Sequence, residues 1–372
     1  MLRLTCIYAG FILYIELYWL FGVLSTMIFK KLSLFILLLV IGINVFAQET
    51  LVFSFDVIRH GDRTPLREIP KAPHVWLEGL GQLTAEGMQQ EFQRGVEFRK
   101  KYVDDYHLIS PSYNNKEIYI FSTDADRTLM SAQSVLLGLY PLGTGPLLSG
   151  LKKPALPQQF QPVPIHIKAK DASEVFDFDN DSKQYKHILK KYVYTQPDWI
   201  AKTAASQPKF AKWSQATGMN ITNLHQVRHL ADILHVYQIH HVPMPVGLSA
   251  EDVKQIIAIG AYASLAEYKT KEIADILGSN ILKTIASYLK SASKQTTSLK
   301  YVLFSGHDST IMSLMTVMQS PLTIKPPYGA NLNFSLFKTS TNHYWVKITY
   351  NGQPVMLRGC TALSCDLSQF LK

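Results

Sequence analysis

Three cysteines in 372 residues are too few for a disulfide scaffold, and one of them, Cys6, sits in an apolar leader. Charge is sparse too. Only 17% of residues are charged against 47% hydrophobic, which excludes a disordered chain and leaves enough apolar residues for one large domain or two ordinary ones. No long Lys/Arg run occurs and the net charge of +9 is diffuse, so nucleic acid is not an expected partner. Without residues 1–47 the balance is 34 basic to 27 acidic, a net +7 that favours anionic substrates without naming one. The chain has no GxxxxGK[ST] phosphate loop, no carboxylate cluster joined to such a loop to hold Mg²⁺, and no CxxxxxR thiol nucleophile.

What is present begins with a leader. Lys30-Lys31, the apolar run LSLFILLLVIGINVFA and small residues at Val45 and Ala47 read as a secretory signal peptide over residues 1–47. Met27 stands just ahead of the lysines and is the expected true start. The competing reading is an uncleaved membrane anchor, for which the apolar stretch is long enough. Gln48, not a cysteine, comes directly after Ala47, which argues against a lipoprotein.

The mature chain is organised around LVFSFDVIRHGDRTP, Leu51–Pro65. Its apolar half has few polar breaks, as in a strand buried on both faces, and it then turns abruptly into Arg59, His60, Gly61, Asp62 and Arg63. Thr84 suits the N-cap of a helix over Leu83–Val103, with Met88, Phe92, Val96, Arg99 and Val103 near one face. EIYIFST reads as a second strand; DADR and a helix stopped by Pro141 follow. Pro141–Pro164 shows no clear element, and residues near 170–275 read mainly as helix. KYVLFSG gives a third apolar strand that ends in His307-Asp308 before another helix. The tail alternates in NLNFSLF and Tyr344–Tyr350, with Asn351-Gly352 as a hairpin turn into QPVML.

The same event occurs three times: an apolar strand ends, polar groups follow, and a helix or loop begins. Neighbouring strands lie roughly 5 Å apart, so Arg59, His60 and Arg63, then Arg127, then His307 and Asp308 can converge. Three arginines and two histidines around one point repel one another unless an anion fills it, and Arg forks match phosphate oxygens. His60 is the group able to attack phosphorus without a metal, and Asp308 is the candidate acid for the leaving oxygen. Asp308 is equally suited to capping the helix it begins. His225, His229 and Asp232 could share a helix face and hold a metal. A solvated or lid-lining face is the preferred reading, because no cysteine supports the cluster and its spacing matches no metal motif.

VIRHGDRTP, FSTDADRTLMSA and FSGHDST resemble the histidine acid phosphatases, the branch of the histidine phosphatase superfamily that includes the prostatic and lysosomal enzymes; WLEGLGQLTAEGMQQ and PPYGANLNFSLF resemble further segments of that family. The resemblance runs from about Leu51 to Leu367 and is weakest over residues 170–275. It implies His60 as nucleophile, Asp308 as proton donor, and Arg59, Arg63, Arg127 and His307 as phosphate ligands, with no metal or other cofactor. It implies an α/β fold: a mixed central sheet with helices on both faces, formed by residues 48–150 and 276–372, and a mainly helical cap over 151–275. The expected function is an exported acid phosphatase, periplasmic or secreted, acting on phosphomonoesters, phosphotyrosine among them. Homodimers are frequent in the family, and no membrane contact is expected once the leader is removed. Thr310 stands where phytase-like members have Asn, which favours a general acid phosphatase over the alternative, a phytase or inositol-phosphate phosphatase. The alternative of another class is a non-catalytic phosphate-binding surface protein. Mammalian members hold several disulfide bridges; here Cys360 and Cys365 are the pair expected to bond.

Overall fold

The computed structural model describes residues 49–168, 183–357, 359–360 and 364–372. The leader, the start at Met27 and the membrane-anchor reading fall outside these residues. The fold comprises Thr50–Lys338 and Asn342–Lys372. Among the described residues, no helix is long and apolar enough to cross a membrane.

At its centre lies β1, Thr50–Arg59, buried from Phe53 to its end because apolar residues occupy one face and a polar network the other. β1 pairs in parallel with β3, Tyr301–Gly306, which pairs in parallel with β2, Ile118–Ser122. On its other side β1 pairs antiparallel with β4, Asn331–Lys338, which pairs with β5, Tyr344–Tyr350. The two-residue strands β6, Gln353–Pro354, and β7, Cys365–Asp366, both pair with β5, which completes the expected mixed sheet.

Helices cover both faces. Ala85–Arg99 (α1) and Asp126–Leu139 (α2) pack on one, where Phe98, Val135 and Leu139 meet Ile58, Ile120 and Leu303. The other face carries Phe55, Val57, Val302 and Phe304, the opposite alternation along β1 and β3. On the first face Asp56 accepts from Tyr102 (2.5 Å), Asn331 (2.9 Å) and Asn333 (3.0 Å), so this buried carboxylate is well partnered. Thr84 caps α1 as expected, accepting from Gly87 N–H at 3.1 Å. The buried face of α1 differs from the expected one. Met88 and Val96 are exposed, while Gly87, Glu91, Gly95 and Phe98 are buried. The reason is close packing: a Cβ on Gly95 would sit 2.0 Å from the Val135 carbonyl oxygen, so α1 lies directly on α2 through its glycines.

The second third of the described chain is helical: α3, Lys183–Ile188; α4, Pro197–Thr217; α5, Leu224–Ile239; and α6, Ala250–Tyr268. They gather around Trp213, Leu230, Leu234 and Ile256 in a core that Ile69 and Met312 also join. Next, α7, Lys271–Ser293, runs through residue 275 without a break. Ile273 joins the core around Trp213, whereas Ile281, Ile285 and Leu289 join the core on the sheet. Then α8, Asp308–Val317, packs beside it, and the chain closes with α9, Leu367–Phe370. Cys360 and Cys365 are bonded to each other.

Candidate active site

Three parallel strands stop at one level. Arg59 is opposite Gly306, and Ser122 is opposite Ser305, so β1, β3 and β2 release their chains side by side. The ladder continues one residue further, with His60 N–H donating to the Gly306 carbonyl (3.0 Å) and Thr123 N–H to that of Ser305 (3.1 Å). Ligands in open α/β sheets bind at such carboxyl ends. Two helices begin there as well: Arg127 is the second residue of α2 and Asp308 the first of α8, so two positive helix ends face the gap. Gly61 lets α1 close against the loop after β1; a Cβ on it would lie 2.4 Å from the Gly87 carbonyl oxygen.

The six residues expected from sequence are brought together. His60, Arg63, Arg127, His307 and Asp308 line one cavity of about 350 Å³, and Arg59 touches Asp308 at its edge (Nη2 to Oδ2, 3.7 Å). His60 is buried, with Nδ1 2.8 Å from the Gly61 carbonyl. A carbonyl only accepts, so Nδ1 carries the proton and Nε2 of the neutral ring keeps its lone pair. Arg59 Nη1 donates to the Pro326 carbonyl (2.5 Å), and its guanidinium lies 4.0 Å from the centre of the Tyr328 ring. His307 Nε2 is 3.0 Å from Thr123 Oγ1. Asp308 Oδ1 accepts from Ser309 N–H (2.8 Å), but Asp308 is the first residue of α8 and the N-cap is His307, so the capping position expected for Asp308 belongs to its neighbour. Arg59, Arg63 and Arg127 each keep a buried Nε–H with no partner among the described residues, as a site awaiting an anion's oxygens would.

Electrostatics follow from this crowding. Burial, then Arg59, His307, Arg63 and Arg127, hold the His60 imidazole well below the usual histidine range. Burial and Arg127 push His307 down to about 3, so His307 is neutral in the free pocket and not the cation that the sequence suggests. Burial pulls the Arg127 guanidinium down to about 10, which leaves it charged at any working pH. Burial alone would raise Asp308; Lys325 and Arg59 overcome it and hold the carboxyl well below the ordinary carboxylate range.

Sequence reasoning missed the pairing of Asp232 with Arg63 and the place of one loop residue. Both oxygens of Asp232, on α5, take Nη2 of Arg63 at 3.0 Å. That occupies the carboxylate proposed as a third metal ligand, and His225 turns to Glu267 (2.9 Å) with its Nε2 3.2 Å from that of His229. The histidine face lines the cavity beside Arg228, as a lid would. Lys325, just ahead of PPYGAN, puts Nζ 3.1 Å from Asp308 Oδ2. Its adjacency to that segment was the available signal, but a lone lysine in a loop gives no direction to its side chain. His240 Nε2 meets Asp62 Oδ2 at 2.6 Å and ties the end of α5 to the loop after β1.

A sequence profile described as Histidine phosphatase superfamily (branch 2) matches residues 51–351. Testicular acid phosphatase of Homo sapiens is 30% identical over 91% of this chain and 82% of its own length. Lysosomal acid phosphatase of Bos taurus is 27% identical over 91% and 81%. Among solved structures, the phytase of Citrobacter braakii superposes with a TM-score of 0.61, covering 86% of this chain and 96% of its own at 16% identity, a likeness of fold.

Proposed function

The chain belongs to branch 2 of the histidine phosphatase superfamily, and from that membership we propose that it is an acid phosphatase hydrolysing phosphate monoesters through a phosphohistidine at His60. The observation that carries this reading is the His60 ring: Nδ1 donates to the Gly61 carbonyl, and the bare Nε2 belongs to a cavity ringed by arginines. Nε2 attacks phosphorus, the P–O bond to the leaving group breaks, and the leaving oxygen takes the proton held by Asp308. Arg59, Arg63, Arg127 and neutral His307 hold the equatorial oxygens. Water then attacks the phosphohistidine, the P–N bond breaks, the water's proton passes to Asp308, and phosphate takes that proton with it as its monoanion, which leaves Asp308 ionised again.

The proton has a traceable origin. In the free pocket His60 is neutral and Asp308 ionised, so the pair holds no proton to deliver. A phosphate monoester with a second pKa near about 6 brings one in as its monoanion. The fall of kcat/KM toward alkaline pH then follows the substrate's own ionisation, while kcat reports Asp308 in the complex.

A second reading, an inositol-phosphate phosphatase, is favoured by surplus cations: Arg67, Arg228 and Lys325 line the cavity beyond the phosphate cradle. A non-catalytic phosphate binder has no use for a bare Nε2 beside a carboxylate. We read residues 151–275 as a cap on the sheet domain, the leader and the Cys360–Cys365 bond as signs of export to periplasm or medium, and phosphotyrosine and a homodimer as family traits to be tested. The deciding assay is a panel of p-nitrophenyl, alkyl, tyrosyl, nucleotide and inositol phosphates from pH 4 to 8, with and without chelator. Chelator-insensitive hydrolysis of simple monoesters with an optimum below about pH 6 is expected. A requirement for a divalent metal overturns the reading, and marked preference for inositol phosphates selects the second.

A further inference from the structure

Asp308 has both carboxylate oxygens in use. Oδ1 accepts the Ser309 N–H at 2.8 Å, and Oδ2 takes Lys325 Nζ at 3.1 Å with Arg59 Nη2 further off at 3.7 Å. A proton carried by Asp308 for delivery to the leaving group therefore competes with the Lys325 ammonium for Oδ2. The two cations differ in freedom. Arg59 is buried and anchored on the Pro326 carbonyl and the Tyr328 ring. Lys325 is 30% exposed and lines the same cavity on a flexible stem.

The other charges facing Asp308 form no ion pair with it among the described residues. From the loop after β1 comes Arg63, bound to Asp232 of α5. Arg127 comes from α2, and Arg228 of α5 lies 3.5 Å from Glu267. Asp232 adds the one facing anion among the described residues, and His60, His307 and Tyr268 are uncharged. Lys325 is thus the cation in contact with Asp308 that is free to yield Oδ2 to a proton.

We propose that Lys325 is a positioning residue that sets the acid range of the enzyme by contesting Asp308 Oδ2 with the catalytic proton. The proposal rests on Asp308 being the proton donor. A donor works while protonated, so turnover is lost as pH rises through its pKa in the substrate complex. An ammonium at this distance favours the carboxylate and holds that pKa down. Removing it lets Asp308 keep its proton to higher pH.

The test is the pH dependence of kcat for an alkyl phosphate in the full-length enzyme and in Lys325→Gln, Lys325→Arg, Asp308→Asn and the Lys325→Gln/Asp308→Asn double variant. Lys325→Gln should move the alkaline limb of kcat upward by about one pH unit or more, a gain of about tenfold over wild type above the limb. Lys325→Arg should restore the wild-type limb, and in the Asp308→Asn background Lys325→Gln should shift nothing. An unmoved limb with a raised KM overturns the proposal and makes Lys325 a substrate ligand. A shift that persists without Asp308 overturns it as well. Full activity of Asp308→Asn on the alkyl ester overturns the donor assignment itself, whatever Lys325 does.

Discussion

The floor and the roof of the pocket are built by different rules. The floor is the ends of β1, β3 and β2, where backbone ladders set the positions of Arg59, His60 and His307 before any side-chain pairing is made. The roof is one face of α5, whose Asp232 and Arg228 reach their places through partners on other elements, Arg63 and Glu267. A ladder fixes the residues that must meet phosphorus to within a fraction of an ångström. Side-chain pairing suits the part that varies with the leaving group.

That division can be broken most severely at Asp308. Asp308→Asn keeps the hydrogen bond at the start of α8, because an Asn oxygen accepts from Ser309 N–H as well. It should slow alkyl phosphates by about 10²–10⁴-fold, and p-nitrophenyl phosphate by clearly less, since p-nitrophenolate leaves without help. Equal slowing of both in steady-state assays would make Asp308 a positioning group only.

Asp232→Asn attacks the roof and should do less. It weakens the grip on Arg63 while leaving the strand ends untouched, so KM should rise about tenfold, the worth of one hydrogen bond to a charged group, with kcat changing little. A kcat loss as large as that of Asp308→Asn would erase the distinction between floor and roof.

The third test concerns pH and the fold. Glu91 is fully buried on α1 with no partner among the described residues for either oxygen, and burial pushes its carboxyl up to about 8 against the pull of Arg94 and Arg59. Unfolded, it ionises near about 4.3. The folded state therefore holds a proton that the unfolded state has lost, and the contribution of Glu91 to stability falls as pH rises from about 4.3 to 8. His60, His229 and His307, kept neutral, act in the opposite sense up to about pH 6.5, so the informative quantity is a difference. Wild type minus Glu91→Gln, from urea unfolding, should slope downward across that window by up to about 1.4 kcal/mol per pH unit. A flat difference would show that Glu91 is ionised in the fold.

The smallest effect is expected at the Cys360–Cys365 bond, which lies outside the residues lining the pocket. Its ring is short, so Cys365→Ser should cost no more than the low end of about 2–4 kcal/mol and leave kcat unchanged. A loss of activity at a temperature where the variant stays folded would tie the tail to the site.

The floor was legible in the sequence; of the roof, only a lid-lining face at His225, His229 and Asp232 was. Apolar runs that end in Arg59-His60, Thr123 and His307-Asp308 announce parallel strands by their continuity, and parallel strands have only one end at which such residues can meet. Asp232 and Lys325 carry no such constraint: their roles depend on which surface α5 and the loop before β4 are folded against, a long-range outcome without local signature. The face of α1 misled for a related reason. Periodicity nominates Met88 and Val96, but contact with α2 runs through Gly95, whose small size matters more than hydrophobicity at a helix crossing. His307 was misread as a cation because a sequence shows the neighbours of a histidine but not its burial.

The central claim is that phosphate passes through His60. Rapid mixing with labelled phosphomonoester, an alkaline quench and peptide mass spectrometry should find phosphate on the peptide containing His60 as an acid-labile, base-stable adduct. His60→Ala, folded by circular dichroism, should show none and lose activity on the order of 10⁴-fold or more. Phosphate on another side chain, or full turnover by His60→Ala, would contradict the account.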